Sequence, residues 1–202
     1  MNLGNILIVG AHLDDIEVGL GGFLSSLYIS NDVPHIYTYI ACCGLNKPDI
    51  DRKNTFITNM ENINIRHNII DKYLDTAITE GNINNIKEVI NDILEAQSIQ
   101  TVFVINSDGH KDHRKVFEMV RLCTRQSRSK VKRVYSYQVY TDFNLKEFNC
   151  TLPFNNELKY NMLQCYNQKL NINLIRKQDE VFGANTNGKY AEKVRIIYDT
   201  LE

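Results

Sequence analysis

Short apolar runs alternating with amphipathic helical patterns set the narrowest limits on what this chain can fold into. Residues 5–10 (NILIVG), 35–42 (HIYTYIAC) and 100–106 (QTVFVIN) have the near-continuous apolar or β-rich character of buried strands. After the first run, Ile16, Leu20, Phe23, Leu24 and Leu27 fall on one face of a 3.6-residue period, beside a stripe of small residues, Gly19, Gly22 and Ser26. Glycine weakens a helix, so this stripe predicts close backbone approach to another element. Phe56, Met60 and Ile63 mark a helix over 52–65. Ile86, Val89, Ile90, Ile93 and Leu94 mark another, opened by the Asn-rich residues 82–85. Beyond the third run, His113, Val116, Phe117 and Val120 share a helical face, with Asp112 at the expected N-cap. Residues 131–140 read as a strand, 156–171 as a helix, and KYAEKVRIIY as a final strand, with Glu192 a surface charge on a sheet edge. Strands alternating with helices over 202 residues predict a single α/β domain with a mainly parallel sheet.

Charge and cysteine usage exclude several classes. A formal net charge of -1 argues against a partner held by bulk electrostatics, so no nucleic acid is expected. The basic run at 125–133 reads as a solvated loop. No apolar run approaches the ~20 residues that span a bilayer, so no transmembrane segment is expected. The N-terminus reads as a first strand rather than a signal peptide. Five cysteines, an odd number without a C-x-x-C, fit reduced thiols in the cytoplasm. A homo-oligomer is compatible with all of this, and nothing in the sequence requires it.

Two loops carry the chemistry. AHLDD (11–15) leaves the first strand and GHKDH (109–113) follows the strand at 100–106. In open α/β sheets ligands sit beyond the carboxyl ends of strands, so topology alone would bring both loops to one edge. If they meet, His12, Asp15 and His113 supply two imidazoles and a carboxylate, a ligand set of catalytic zinc that leaves a fourth position for water. Asp14 is then a second carboxylate able to take a proton from that water. An aspartate two residues from a histidine can hold its ring, so Asp112 is expected to orient His110 and favour its protonated form, ready to stabilise an oxyanion or protonate a leaving amine. The bland alternative, an acidic helix N-terminus, accounts for Asp14 and Asp15 but not for His12. The glycines of GLGG lie inside the helical pattern, which removes a dinucleotide loop.

AHLDDIEVGLGG resembles the A-H-[P]-D-D-x-E-x-G-x-G-G signature of the LmbE-like, PIG-L-type deacetylases. GHKDH resembles that family's H-x-D-H motif, and GANTNGKYAEKV resembles its closing segment. The resemblance implies a Rossmann-like three-layer α/β sandwich. It implies removal of the acetyl group from an N-acetylglucosamine unit in a larger small-molecule conjugate. It also implies zinc as cofactor, with iron able to occupy the same ligands, on His12, Asp15 and His113; Asp14 as general base; and His110, oriented by Asp112, as electrostatic or acid partner. By the same resemblance Glu17 fixes the first loop. The chain departs from the pattern at Leu13, where proline is usual, and at Arg52, where R-x-x-E becomes R-x-x-T. It also carries Asp108 where some members place a tyrosine near the substrate. Arg52, facing an anionic group, and Asp108 are thus expected at the substrate. Two neighbouring readings stay open: a related zinc amidohydrolase with another acyl group or amine, and a non-catalytic sugar-binding relative.

Overall fold

A computed structural model of the chain describes residues 3–31, 34–125, 130–139, 149–166 and 170–199. Residues 126–129 of the basic run at 125–133, Tyr140 and residues 167–169 of the helix expected over 156–171 lie outside the described residues.

The first apolar run forms β1 (Ile6–Gly10), every residue of which is buried. Chain order continues through α1 (Asp15–Ile29), β2 (Ile36–Cys42), α2 (Ile50–Asn62), β3 (His67–Tyr73), α3 (Glu80–Ala96), β4 (Thr101–Ile105) and α4 (Lys111–Thr124). It then runs through β5 (Arg133–Tyr137), β6 (Cys150–Phe154), α5 (Leu158–Gln164), α6 (Ile172–Gly183) and β7 (Tyr190–Asp199). The sheet order is β3-β2-β1-β4-β5-β7-β6. The first five of these strands pair in parallel; β7 is antiparallel to both β5 and β6. The chain steps outward from β1 to β3, then returns to lay β4 on the other side of β1. Right-handed crossovers therefore put α1 and α2 on one face, and α3 and α4 on the other, giving three layers. The reversal between β1 and β4 opens a crevice at their carboxyl ends, where an α/β sheet accepts a ligand.

Several expectations change. Three elements escape the sequence pattern: β3, β6 and α6. The helix expected over 156–171 is shorter, Leu158–Gln164. The small-residue stripe of α1 does mark close approach. A Cβ at Gly19 would lie 2.4 Å from the Tyr137 ring and one at Gly22 2.4 Å from the Phe154 ring.

Glu192 is 3% exposed and belongs to β7, an interior strand rather than an edge. Its two carboxylate oxygens accept from Gly22 N (2.8 Å) and Phe23 N (2.9 Å) in the middle of α1. Lys159 Nζ, itself buried, bridges Glu192 (2.9 Å) and Asp179 (2.8 Å). The last strand thus holds the first helix through charge-assisted hydrogen bonds.

Candidate metal centre

The loop after β1 turns back on itself through Asp15. Its Oδ2 accepts from Ala11 N (2.9 Å) and His12 N (2.7 Å), which fixes the tight path from strand to helix. Asp14 occupies the N-cap of α1 yet makes no side-chain capping bond. Its Oδ1 instead accepts from Arg52 Nη2 at 2.7 Å. The acidic pair is therefore not explained as helix capping.

The reversal of strand order brings the second loop against the first. His12 Nδ1 and His113 Nε2 lie 3.2 Å apart. Asp15 Oδ2 is 3.5 Å from His12 Nδ1, and Asp15 Oδ1 is 3.6 Å from His113 Nε2. Ligands at zinc distances in a tetrahedron stand about 3.4 Å apart. Asp15 Oδ1 is buried without a hydrogen-bond partner. A buried carboxylate oxygen in that state is costly unless a cation faces it. The donors present fit a divalent metal ion. His110 joins the same group: His12, His110 and His113 each offer a nitrogen within 4.8 Å of the others, and the His110 ring meets that of His12 edge-on at 4.7 Å.

Each imidazole has a partner that sets its orientation. His113 Nδ1 lies 2.7 Å from Asp108 Oδ2. The other oxygen of Asp108 accepts from His110 N (2.7 Å). Asp108, expected at the substrate, therefore commits both oxygens to the histidine loop. His12 Nε2 lies 3.3 Å from Asp112 Oδ2, which also accepts from Thr76 N (2.6 Å). The Asp112 carboxylate thus orients His12 rather than His110. Its backbone N–H is what reaches His110, donating to Nδ1 at 3.2 Å. His110, not Asp112, is the N-cap of α4. With Nδ1 accepting, the neutral ring carries its proton on Nε2. Burial, together with the neighbouring His12 and His113, lowers the His110 pKa. Asp112 does pull His110 toward its protonated form, but burial, His12 and His113 outweigh it.

The electrostatics favour a cation at this point. Burial opposes a charge on His12, but Asp15, Asp112 and Asp75 outweigh it and raise the imidazole to about 10. Burial likewise opposes ionisation of Asp15, yet His113 and His12 hold its carboxyl at about 2. Asp14 is raised by burial and by Asp15, while Arg52 and His12 pull it back.

Arg52 does not stand free for an anionic group. Besides Asp14 it faces Asp75 Oδ2, with Nη1 at 3.9 Å. Arg52 Nε and Asp75 Oδ1 are both buried and without a hydrogen-bond partner. Asp75 and Thr76 follow β3, and no sequence motif marks them. Cys42 was likewise missed as a neighbour of the site: its thiol groups with His12 and Asp112, and burial pushes its pKa far up, so it stays protonated. Glu17 is fully buried within α1. Its Oε1 accepts from Tyr166 Oη (2.5 Å) and Asn59 Nδ2 (3.2 Å). It ties α1 to α2 and to the segment after α5 instead of fixing the first loop.

No family model matches the chain, and no curated protein matches it in sequence. Solved structures do match. The N,N'-diacetylchitobiose deacetylase of Pyrococcus horikoshii superposes with a TM-score of 0.75 at 15% identity, covering 98% of this chain and 86% of that one. The likeness is one of fold. A deacetylase of teicoplanin biosynthesis gives 0.75 at 12% identity, covering 95% and 97%. The 4-carboxy-2-hydroxymuconate hydratase of Pseudomonas putida KT2440 gives 0.68 at 11%, covering 98% of each chain. One architecture thus carries both an amide-cleaving and a hydrating chemistry, and the reaction has to be read from the site.

No helix among the described residues is long and apolar enough to cross a membrane.

Proposed function

We propose that this chain is a metal-dependent de-N-acetylase of the LmbE-like, PIG-L type, hydrolysing the acetamide of an N-acetylglucosamine-type sugar in a larger conjugate. The observation that carries this reading is the convergence of His12 Nδ1, His113 Nε2 and the unpartnered Asp15 Oδ1, with Asp14 beside them. The fold shared with two deacetylases supports it. His12, Asp15 and His113 would hold zinc, and iron suits the same ligands. Once bound, the ion supplies Lewis acidity to the acetyl carbonyl and to a water molecule.

The protein side chains divide the remaining work. Asp108 and Asp112 hold the two liganding imidazoles in one tautomer and orientation. Asp14 is the general base: Arg52 engages Oδ1 and offsets part of the rise that burial and Asp15 impose on the carboxyl, which leaves Oδ2 to take a proton from the attacking water. His110 donates Nε2–H to the oxyanion that develops on the acetyl carbon, as a neutral hydrogen-bond donor. Asp14 then returns its proton to the departing amine, and the C–N bond breaks. The five free cysteines suit a reducing, cytoplasmic setting.

Metal analysis of the purified protein and acetate release from N-acetylglucosamine derivatives test this reading. Asp14→Asn is expected to retain the metal while losing about two orders of magnitude or more in rate. Absence of bound metal, with no acetate released after zinc or iron is added, would refute the assignment. A zinc amidohydrolase with another acyl group or amine would use the same machinery, and product analysis separates the two. Turnover of any kind rejects a purely sugar-binding role.

A further inference from the structure

The turn after β3 holds a conformation that its residue resists. Thr76 sits at φ +68, and among the described residues it is the only β-branched residue at positive φ. The branch at Cβ crowds the backbone there, which makes such a residue a genuine outlier. Ala77 N donates to Leu74 O at 2.9 Å, closing a four-residue turn with Thr76 in third place. That place favours glycine or asparagine when φ is positive. Strain of this kind persists where the surroundings over-determine it, and it gathers at functional sites.

The surroundings hold the turn on both sides. Before it, Asp75 N donates to Gly44 O at 2.8 Å. After it, Asn82 Nδ2 donates to Ala77 O at 3.0 Å, and Lys115 Nζ donates to Ile78 O. The Thr76 side chain is exposed, so it is not what these contacts place. They place its backbone N–H, which donates to Asp112 Oδ2 at 2.6 Å.

That oxygen also faces His12 Nε2 at 3.3 Å. Asp112 is fully buried, and its Oδ1 has no hydrogen-bond partner among the described residues. One oxygen thus carries both contacts. The Thr76 N–H fixes the carboxylate, and the carboxylate sets the His12 ring with Nδ1 toward His113 Nε2, 3.2 Å away. A carboxylate with a second, fixed donor is less free to swing off the imidazole, and such outer partners govern how well a ring ligates.

We infer that Thr76 is a positioning residue for the metal centre: its strained backbone is retained because the N–H it presents locks Asp112, and through Asp112 the His12 ring, in the orientation that receives the ion. This rests on the proposed reading of His12, Asp15 and His113 as metal ligands. The role belongs to the main chain, so the side chain at position 76 matters less than the donor.

Zinc affinity, measured by competition against a chromogenic chelator, tests this without turnover. Replacing Thr76 by its α-hydroxy acid analogue turns the Asp75–Thr76 amide into an ester, which removes the N–H and keeps the side chain. Affinity is expected to fall about ten-fold or more. Thr76→Gly keeps the N–H and suits a positive φ, so its affinity is expected to stay within about two-fold of the parent. In an Asp112→Ala background the ester is expected to cost nothing further, because the group it acts through is gone. Reciprocity adds a measurement on the unaltered protein: an N–H bond that strengthens zinc binding about ten-fold is itself strengthened by zinc to the same extent. Amide hydrogen exchange at Thr76 is therefore expected to slow about ten-fold on saturation with zinc, and not in Asp112→Ala. An ester that binds zinc like the parent, an equal loss in the Asp112→Ala background, a Thr76→Gly loss as large as the ester's, or an exchange rate unmoved by zinc would each overturn the inference. With zinc bound by the parent, those outcomes leave the metal-centre reading standing; a parent that binds no zinc removes both.

Discussion

Asp108 Oδ2 lies 2.7 Å from His113 Nδ1, so the carboxylate decides which nitrogen of that ring faces His12 and Asp15. Removing such an outer partner typically costs 10–100-fold in metal affinity. Asp108→Ala is expected to weaken metal binding by about that factor, with the fold unchanged by circular dichroism. Competition against a chromogenic chelator measures it. Unaltered affinity would return Asp108 to the substrate role that its sequence position implied.

Arg52 is the nearest cation to Asp14. Its charge offsets part of the rise that burial and Asp15 impose on that carboxyl. Without it the base is deprotonated only at higher pH. In Arg52→Gln the acid limb of the kcat/KM profile is therefore expected to move to higher pH, with a lower plateau. An acid limb that stays in place would show that Arg52 does not govern the base.

Glu17 is raised by burial to about 8, from an ordinary value of 4.5. Between about 4.5 and 8 the folded protein keeps a proton that the unfolded chain has released. Stability falls as pH rises through that window. Glu17→Gln has no such proton and keeps an oxygen for Tyr166. Urea midpoints measured across the window are expected to decline less steeply in this variant than in the parent. Parallel declines would place the charge on Glu17 throughout.

A Cβ at position 22 would meet the Phe154 ring at 2.4 Å. Gly22→Ala is therefore expected to destabilise by about 1–3 kcal/mol, although alanine is the better helix former. An increase in stability would mean that the contact relaxes without cost.

The strands of the parallel core were readable because burial on both faces leaves unbroken apolar runs, as in Ile6–Gly10 and Thr101–Ile105. The edge strands were not. His67–Tyr73 alternates polar residues along an exposed edge, and Cys150–Phe154 contains Pro153, which argues against a strand unless it lies at an edge. Missing β3 also hid Asp75 and Thr76, which follow it.

Within the site, residue types and spacing pointed to His12, Asp15 and His113; His12 Nδ1 and His113 Nε2 stand 3.2 Å apart, and each has a different oxygen of Asp15 within 3.6 Å. The supporting pairs were misjudged. Sequence proximity tied Asp112 to His110, whereas its carboxylate reaches His12, 100 positions away. Local spacing identifies which groups a loop carries; it does not say which of them the sheet will turn toward one another.

Glu192 grips the backbone of α1 across 170 positions of sequence. On the ribosome this means that the earliest motif made is among the last to be secured. Until β7 emerges, α1 lacks the anchor at Gly22 and Phe23 that seats it. A chain released short of Glu192 would carry every residue of the two histidine motifs and still lack this long-range clasp. Such a fragment is expected to bind metal poorly and to be a ready substrate for quality-control proteases, a vulnerability of contacts that close only over long loops.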